Sequence, residues 1–213
     1  MTAPSERATV RRSERSAYDP VTIYSILDEA LIAHVGFIRQ GTPVVLPMLH
    51  ARIGDRLLLH GSPASSLTRS LKQDPSVCVT VTIFDGLVLA RSAFNSSANY
   101  RSVVVFGQAE RITDLAGRAA ALDAFTDKVM PGRRPHIRPN HEDELKQTAV
   151  FEVPLDEASA KIRSGPPHDE DEDYELPIWA GVIPAALVWG EPEPDPENLD
   201  GVVMPDHLEH FRT

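Results

Sequence analysis

Val77, Val79, Val81 and Ile83 alternate with Cys78, Thr80 and Thr82, and this alternation limits the fold more than any other stretch of the chain. A period of two puts the apolar side chains on one face of a strand and the polar ones on the other. Similar runs lie on both sides. Residues 35–39 and 42–51 flank Gln40-Gly41 as a hairpin. Pro43 and Pro47 make its second strand an edge, or a bulged strand, because neither offers a ladder N–H. Gly54-Asp55 turns into the apolar run Leu57-Leu58-Leu59-His60, and Asp85-Gly86 turns into residues 87–94. Residues 100–109 and 150–155 bring the total to about six or seven strands. Helices are few. Asp19-Pro20 opens one whose positions Ile23, Ile26, Leu27, Ala30, Leu31 and His34 recur at helical spacing, with His34 at its C-terminal end. Ser62-Pro63 opens a short one over 62–72, and Asp114 caps one that runs to Val129 before Pro131. Hairpin-linked strands with few helices between them argue against a doubly wound parallel sheet. They predict a mainly β fold, an antiparallel barrel with peripheral helices.

The 213 residues suffice for one substantial core. Residues 1–17 are polar and Arg-rich without apolar periodicity and read as a disordered segment, not a secretory signal. Residues 18–188 form the folded domain. Residues 189–213 form an acidic, Pro-rich tail, in which 191–197 alternate Pro with acids and cannot pack a core. A formal net charge of −10 disfavours a nucleic-acid partner. No apolar run approaches the roughly 20 residues that cross a bilayer. The lone Cys78 permits no internal disulfide, so it reads as a small buried hydrophobe in a cytoplasmic protein.

The stretch His60-Gly61-Ser62-Pro63-Ala64-Ser65-Ser66 leaves a strand, turns tightly and enters a helix with small hydroxylated residues. Such a corner offers backbone N–H groups and hydroxyls to a phosphate, and it also reads as a plain capped turn. Arg69 adds a charged donor or lies in solvent. In Tyr100-Arg101-Ser102, the strand-borne Arg101 suits a phosphate, a partner's carboxylate or an ordinary edge position. Trp179 packs on a planar ring or serves as a core or interface aromatic. His50, at a strand end, is placed to face a ligand. No histidine pair has the spacing of a metal site. The run Asp169-Glu170-Asp171-Glu172-Asp173 reads as a solvated mobile loop. No dinucleotide or Walker fingerprint is present.

Several short stretches occur in a specific order: Tyr18-Asp19 through Ile26-Leu27-Asp28-Glu29-Ala30, Gly41-x-Pro43, Gly54-Asp55, His60-Gly61-Ser62, Asp85-Gly86-Leu87-Val88, Asn99-Tyr100-Arg101-Ser102-Val103, Pro131-Gly132-Arg133, Ser164-Gly165-Pro166-Pro167 and Trp179-Ala180-Gly181-Val182-Ile183-Pro184. With this set, residues 11–188 resemble the pyridoxamine 5′-phosphate oxidase-like family of flavin-nucleotide-binding proteins. The resemblance implies an antiparallel split β-barrel and a homodimer holding FMN in two clefts at the subunit interface. It implies that residues 45–49, with Pro47, Met48 and Leu49, line the isoalloxazine. It implies that His60, Gly61, Ser62, Ser65 and Ser66 hold the phosphate end, and that Tyr100, Arg101, Ser102 and Trp179 contribute at the same cleft or across the dimer. Relatives often carry a basic residue where this chain has Ser66, so phosphate neutralisation falls to Arg69 or Arg101, or affinity is modest. The substrate-phosphate residues of the vitamin-pathway oxidase are not recognisable, and that activity is not assigned.

What the resemblance implies for function is an FMN-dependent oxidoreductase acting on a small molecule. A flavin carries the hydride chemistry, so no protein nucleophile is required. Two other readings remain open: a non-catalytic flavin carrier or sensor, and the same barrel holding haem or a deazaflavin.

Overall fold

The computed structural model describes residues 5–212, and the side chains of His210 and Arg212 lie outside that description. In chain order the elements are β1 (Ser16–Ala17), α1 (Pro20–Glu29), β2 (Ile32–Arg39), β3 (Thr42–Leu49), β4 (Ala51–Ile53), β5 (Arg56–Gly61) and α2 (Ser66–Leu71). They continue with β6 (Ser76–Leu89), β7 (Ser97–Gln108), β8 (Glu110–Ile112), α3 (Leu115–Val129), α4 (Glu142–Lys146), β9 (Ala149–Pro154), β10 (Ala158–Arg163) and β11 (Gly181–Pro184). One sheet has the order β1-β10-β7-β6-β2-β3, with β11 added along β6, and the other has the order β4-β5-β9-β8. Every pairing is antiparallel and neither sheet closes on itself, as in a split barrel.

The core follows from the period-two pattern. Ala33, Val35 and Phe37 of β2, Val77, Val79 and Val81 of β6, and Val103 and Val105 of β7 face inward. They meet Leu57 and Leu59 of β5 and Phe151 and Val153 of β9, with α1 contributing Ile23, Ile26 and Leu27. Leu58 points the other way and packs with Ala51 and Val150 under Ala121 and Phe125 of α3. The middle of β5 is therefore apolar on both faces, which accounts for the unbroken Leu57-Leu58-Leu59 run. Burying one such leucine contributes about 2 kcal/mol.

Asp19 caps α1 by accepting the Thr22 N–H, and Asp114 caps α3 by accepting the Gly117 N–H. Gln40 (φ 50°) and Gly41 (φ 77°) make the β2–β3 turn with left-handed backbone at both positions, as a two-residue hairpin requires. β3 ends the strand order, as Pro43 and Pro47 predict.

Five expectations give way to what the structure shows. The short helix does not open at Ser62-Pro63 but at Ser66, because Ser65 is the residue whose side chain caps it by accepting the Thr68 N–H. His34 is not at the end of a helix. Helix α1 stops at Glu29, and His34 stands outward on β2 because burial of Ala33, Val35 and Phe37 imposes a period of two. Asp85-Gly86 is not a turn but a register shift within the continuous strand β6. Gly86 (φ 149°) lies where β11 crosses, and a Cβ there would be 2.4 Å from the Ile183 carbonyl oxygen. The acidic run is not wholly solvated, because the Asp169 carboxylate is buried and accepts from the Arg91 backbone N–H (2.9 Å) and Nη1 (3.0 Å). The described part of the N-terminal segment, 5–17, lies on the fold. Ala8 is buried, Val10 donates its N–H to the Tyr18 hydroxyl, Arg7 pairs with Glu157, and β1 joins β10.

Cys78 is half-buried on the outer face of β6, and burial raises its thiol pKa. No described helix is long and apolar enough to cross a membrane. The tail folds back in part, with His207 stacked on His136 and Phe211 edge-on to Trp189.

Candidate functional site

The larger sheet turns one face inward and leaves the other largely uncovered within a single copy. On the uncovered face, successive pairings run Pro47–His34–Thr80–Val104–Ser159 across five strands. Ile32, Ile38, Val45 (61% exposed), Leu49 and Phe84 add exposed apolar surface to it. Gly36 lies within this strip, where an added Cβ would approach the Cys78 carbonyl oxygen of β6 to 3.2 Å.

The expected ring-lining residues divide between the faces. Pro47 and Leu49 point outward, whereas Met48 packs inward against the core. Tyr100 and Ser102 share the outward face of β7. The Ser102 hydroxyl donates to the Lys161 carbonyl oxygen at 3.2 Å, and Lys161 Nζ lies 5.8 Å from the centre of the Tyr100 ring. Arg101 is committed elsewhere. It donates to Asp85 (3.0 and 2.8 Å) and pairs with Glu29, which raises its pKa and ties the end of α1 to β6. Arg101 thus has two carboxylates already in place of a phosphate.

The small-residue corner satisfies most of its own polar groups. Ser65 Oγ accepts the Thr68 N–H (3.1 Å) as the N-cap of α2, and Ser62 Oγ accepts the Ala64 N–H (3.2 Å). Thr68 Oγ1 donates to the Ser62 carbonyl oxygen (2.9 Å), and Arg69 Nη1 donates to the Ala64 carbonyl oxygen (2.7 Å). Gly61 ends β5 opposite Ala149. Ser66 opens α2 and faces a small pocket. His60 turns toward α3, with its ring edge-on to Phe125 at 4.4 Å. Burial lowers the His60 pKa, and its buried Nδ1 has no hydrogen-bond partner.

Arg39, Gln40 and Gln73 are site residues that the sequence did not reveal. With Ser66, Arg69 and Ser70 they line a pocket of about 150 Å³ between the β2–β3 turn and α2. No short-range signal marks them, because the pocket joins residues 30 positions apart in the chain. Trp179 is 68% exposed just before β11, with its ring over Gly181, where a Cβ would meet ring atoms at 2.9 Å.

The candidate residues therefore form two groups at opposite ends of β2. The corner and its pocket adjoin Arg39, whereas Leu49 pairs with Ile32. The intervening strand spans about 23 Å at roughly 3.3 Å per residue.

His50 is not on this face. It is completely buried, with Nε2 3.0 Å from the Leu27 carbonyl oxygen and 2.7 Å from Lys128 Nζ. Lys128 also donates to the Leu27 oxygen at 2.7 Å. Burial and the neighbouring ammonium push the His50 pKa down to about 4, and burial lowers that of Lys128 to about 8. Neutral His50 thus accepts from charged Lys128 at Nε2, and Lys128 is the donor that satisfies the Leu27 carbonyl at the C-terminal end of α1. Among the described residues no three His, Cys, Asp or Glu side chains converge as a metal site would need.

A model of the pyridoxamine 5′-phosphate oxidase family matches residues 19–162. Among solved structures, the chain is similar to the flavocytochrome Anf3 from Azotobacter vinelandii. The two are 45% identical over 99% of this chain and 98% of that one, with a TM-score of 0.93. It is also similar to the FAD and haem binding protein from Mycobacterium smegmatis, at 34% identity over 93% of this chain and 97% of that one, with a TM-score of 0.88. No curated protein matches it.

Proposed function

The chain belongs to the pyridoxamine 5′-phosphate oxidase family, and on that premise we propose that it binds a flavin nucleotide and acts as a flavin-dependent oxidoreductase on a small molecule. The observation that carries this reading is the apolar strip on the outer face of β2 and β3, with a phosphate-competent corner at one end. A flavin fits those residues. Val45, Pro47 and Leu49 offer an apolar bed, and Ser66 with Arg69 stands where a phosphoryl end would lie. FMN is the smallest nucleotide that meets these requirements.

Bound there, the flavin supplies hydride transfer. The chain's own residues bind and orient it and shield one face from water. Two small relatives with near-complete mutual coverage support the flavin reading, one being a flavocytochrome and the other binding FAD and haem. They also support a second reading, that haem accompanies the flavin. In that reading His34, exposed on the outer face opposite Pro47, would be the imidazole available to hold the haem iron.

A homodimer completes the proposed site. Corner and Tyr100–Ser102 end are too far apart along the strands to meet within one copy. Two copies packed by their outer faces about a two-fold axis across the strands set one copy's corner against the other's Tyr100 and Ser102. The exposed apolar residues of that face are what such packing would cover. The test is an absorbance spectrum of the purified protein, with mass identification of the ligand released on denaturation. Flavin bands, alone or with a Soret band, support the reading. A colourless protein that takes up neither added FMN nor FAD overturns it.

A further inference from the structure

Lys128 differs in its surroundings from the other lysines of the chain, Lys72, Lys146 and Lys161. Lys72 is exposed, and Lys146 pairs with Glu142 at 2.6 Å. Lys128 is half-buried on α3, in the wall of a pocket of about 370 Å³ that Asp28, Arg52, Ala124 and Asp127 also line. Both carboxylates of that pocket are held by other cations, Asp28 by Arg52 and Asp127 by Arg134. Lys128 instead faces two uncharged acceptors, the Leu27 carbonyl oxygen and His50 Nε2, each at 2.7 Å from Nζ. An ammonium drawn partly out of water gives up its proton more readily than a solvated one, and burial lowers the Lys128 pKa to about 8. Once neutral, the amine has two N–H bonds and one lone pair. The two acceptors engage both N–H bonds, so the lone pair points away from them, on the side of the pocket. Arg52 beside it spends three of its five N–H groups on Asp28 and the Gly54 carbonyl oxygen, and the other two are left for an anion.

We propose that Lys128 is an acyl acceptor: it takes the acyl group of a small acyl phosphate whose phosphoryl oxygens are received by Arg52. The Lys128 nitrogen attacks the acyl carbon and an N–C bond forms. The bond from that carbon to the bridging oxygen breaks, and its electron pair leaves with the phosphate. The proton shed by the nitrogen ends on the released phosphate, so the products are an amide and inorganic phosphate, and nothing is oxidised or reduced. The amide keeps one N–H for two acceptors. Acylation therefore deprives either the Leu27 carbonyl or His50 of its donor and loosens the join between the end of α1 and α3. This site is independent of the flavin reading, since α3 packs on the smaller sheet, away from the uncovered outer face.

The experiment is incubation of the full-length protein with acetyl phosphate at about pH 8, in buffer and in urea. Acetylation at Lys72, Lys128, Lys146 and Lys161 is followed by peptide mass spectrometry. In the folded protein Lys128 should react about tenfold faster than Lys72 and Lys146, and in urea the rates should converge. A Lys128 rate no faster than theirs overturns the proposal. A preference that survives unfolding also overturns it, because local sequence would then be its cause. The uncharged donor para-nitrophenyl acetate should show a smaller preference for Lys128 than acetyl phosphate does. An equal preference with both donors overturns the role given to Arg52, and with it the assignment of an acyl phosphate.

Discussion

Acid should destabilise this protein through one buried imidazole. His50 is fully buried, and its pKa is pushed from the ordinary 6.5 down to about 4 by burial first and by the Lys128 ammonium second. In the unfolded chain the imidazole takes its proton near pH 6.5, whereas in the folded chain it resists until about pH 4. Between those values the unfolded state holds more protons, so stability falls as pH falls and the loss is complete below about pH 4. At about 1.4 kcal/mol per pH unit, the whole window amounts to about 3 kcal/mol, of which about 2 kcal/mol is lost between pH 7 and pH 5. Lys128 adds no slope there, because it is charged in both states until about pH 8. The assay is urea unfolding at both pH values for the wild type and for His50→Gln, which keeps an acceptor for Lys128 but does not titrate. The wild type should lose about 2 kcal/mol more than the variant. Parallel losses, within about 0.5 kcal/mol, would refute the reasoning by showing that His50 either charges freely when folded or does not differ from the unfolded chain.

Other perturbations have separate signatures. Lys128→Met strips the Leu27 carbonyl oxygen and His50 Nε2 of their shared donor, and should lower stability by about 1–3 kcal/mol in the same urea assay. Gly86→Ala drives a Cβ into the Ile183 carbonyl, so amide exchange at residues 181–184 should rise well above that of the neighbouring β7; unchanged protection would contradict the crossing described here. Arg101→Gln should leave flavin affinity within about threefold while lowering stability by about 1 kcal/mol, because its partners are Asp85 and Glu29 on a partly exposed surface. A large loss of affinity in a variant of unchanged stability would place Arg101 at the ligand instead.

The strand framework was legible because it rests on local rules. The alternation of residues 77–83 gave the two faces of β6, Pro43 and Pro47 gave the edge position of β3, and Asp19 and Asp114 gave the helix starts. What failed locally was decided by tertiary contact. Asp85-Gly86 carries turn chemistry, yet its glycine serves the close passage of β11 against β6. His34 falls on a helical spacing with Leu27 and Ala30, yet the buried partners of Ala33, Val35 and Phe37 select a strand. Asp169 sits in an acidic run that looks solvated, and only Arg91, far away in the chain, explains its burial. The site shows the same limit. Ser62 and Ser65 were readable as corner residues, but not that their hydroxyls would serve Ala64 and Thr68. Arg39 was invisible as a site residue because nothing near it in the sequence indicates that α2 folds against its hairpin.

Native mass spectrometry of the protein reconstituted with flavin tests most directly the idea that each ligand site draws on two copies of the chain. The expected species is a dimer carrying two flavins, with ligand loss accompanying dissociation into monomers. A monomer that retains flavin with undiminished affinity would contradict the account.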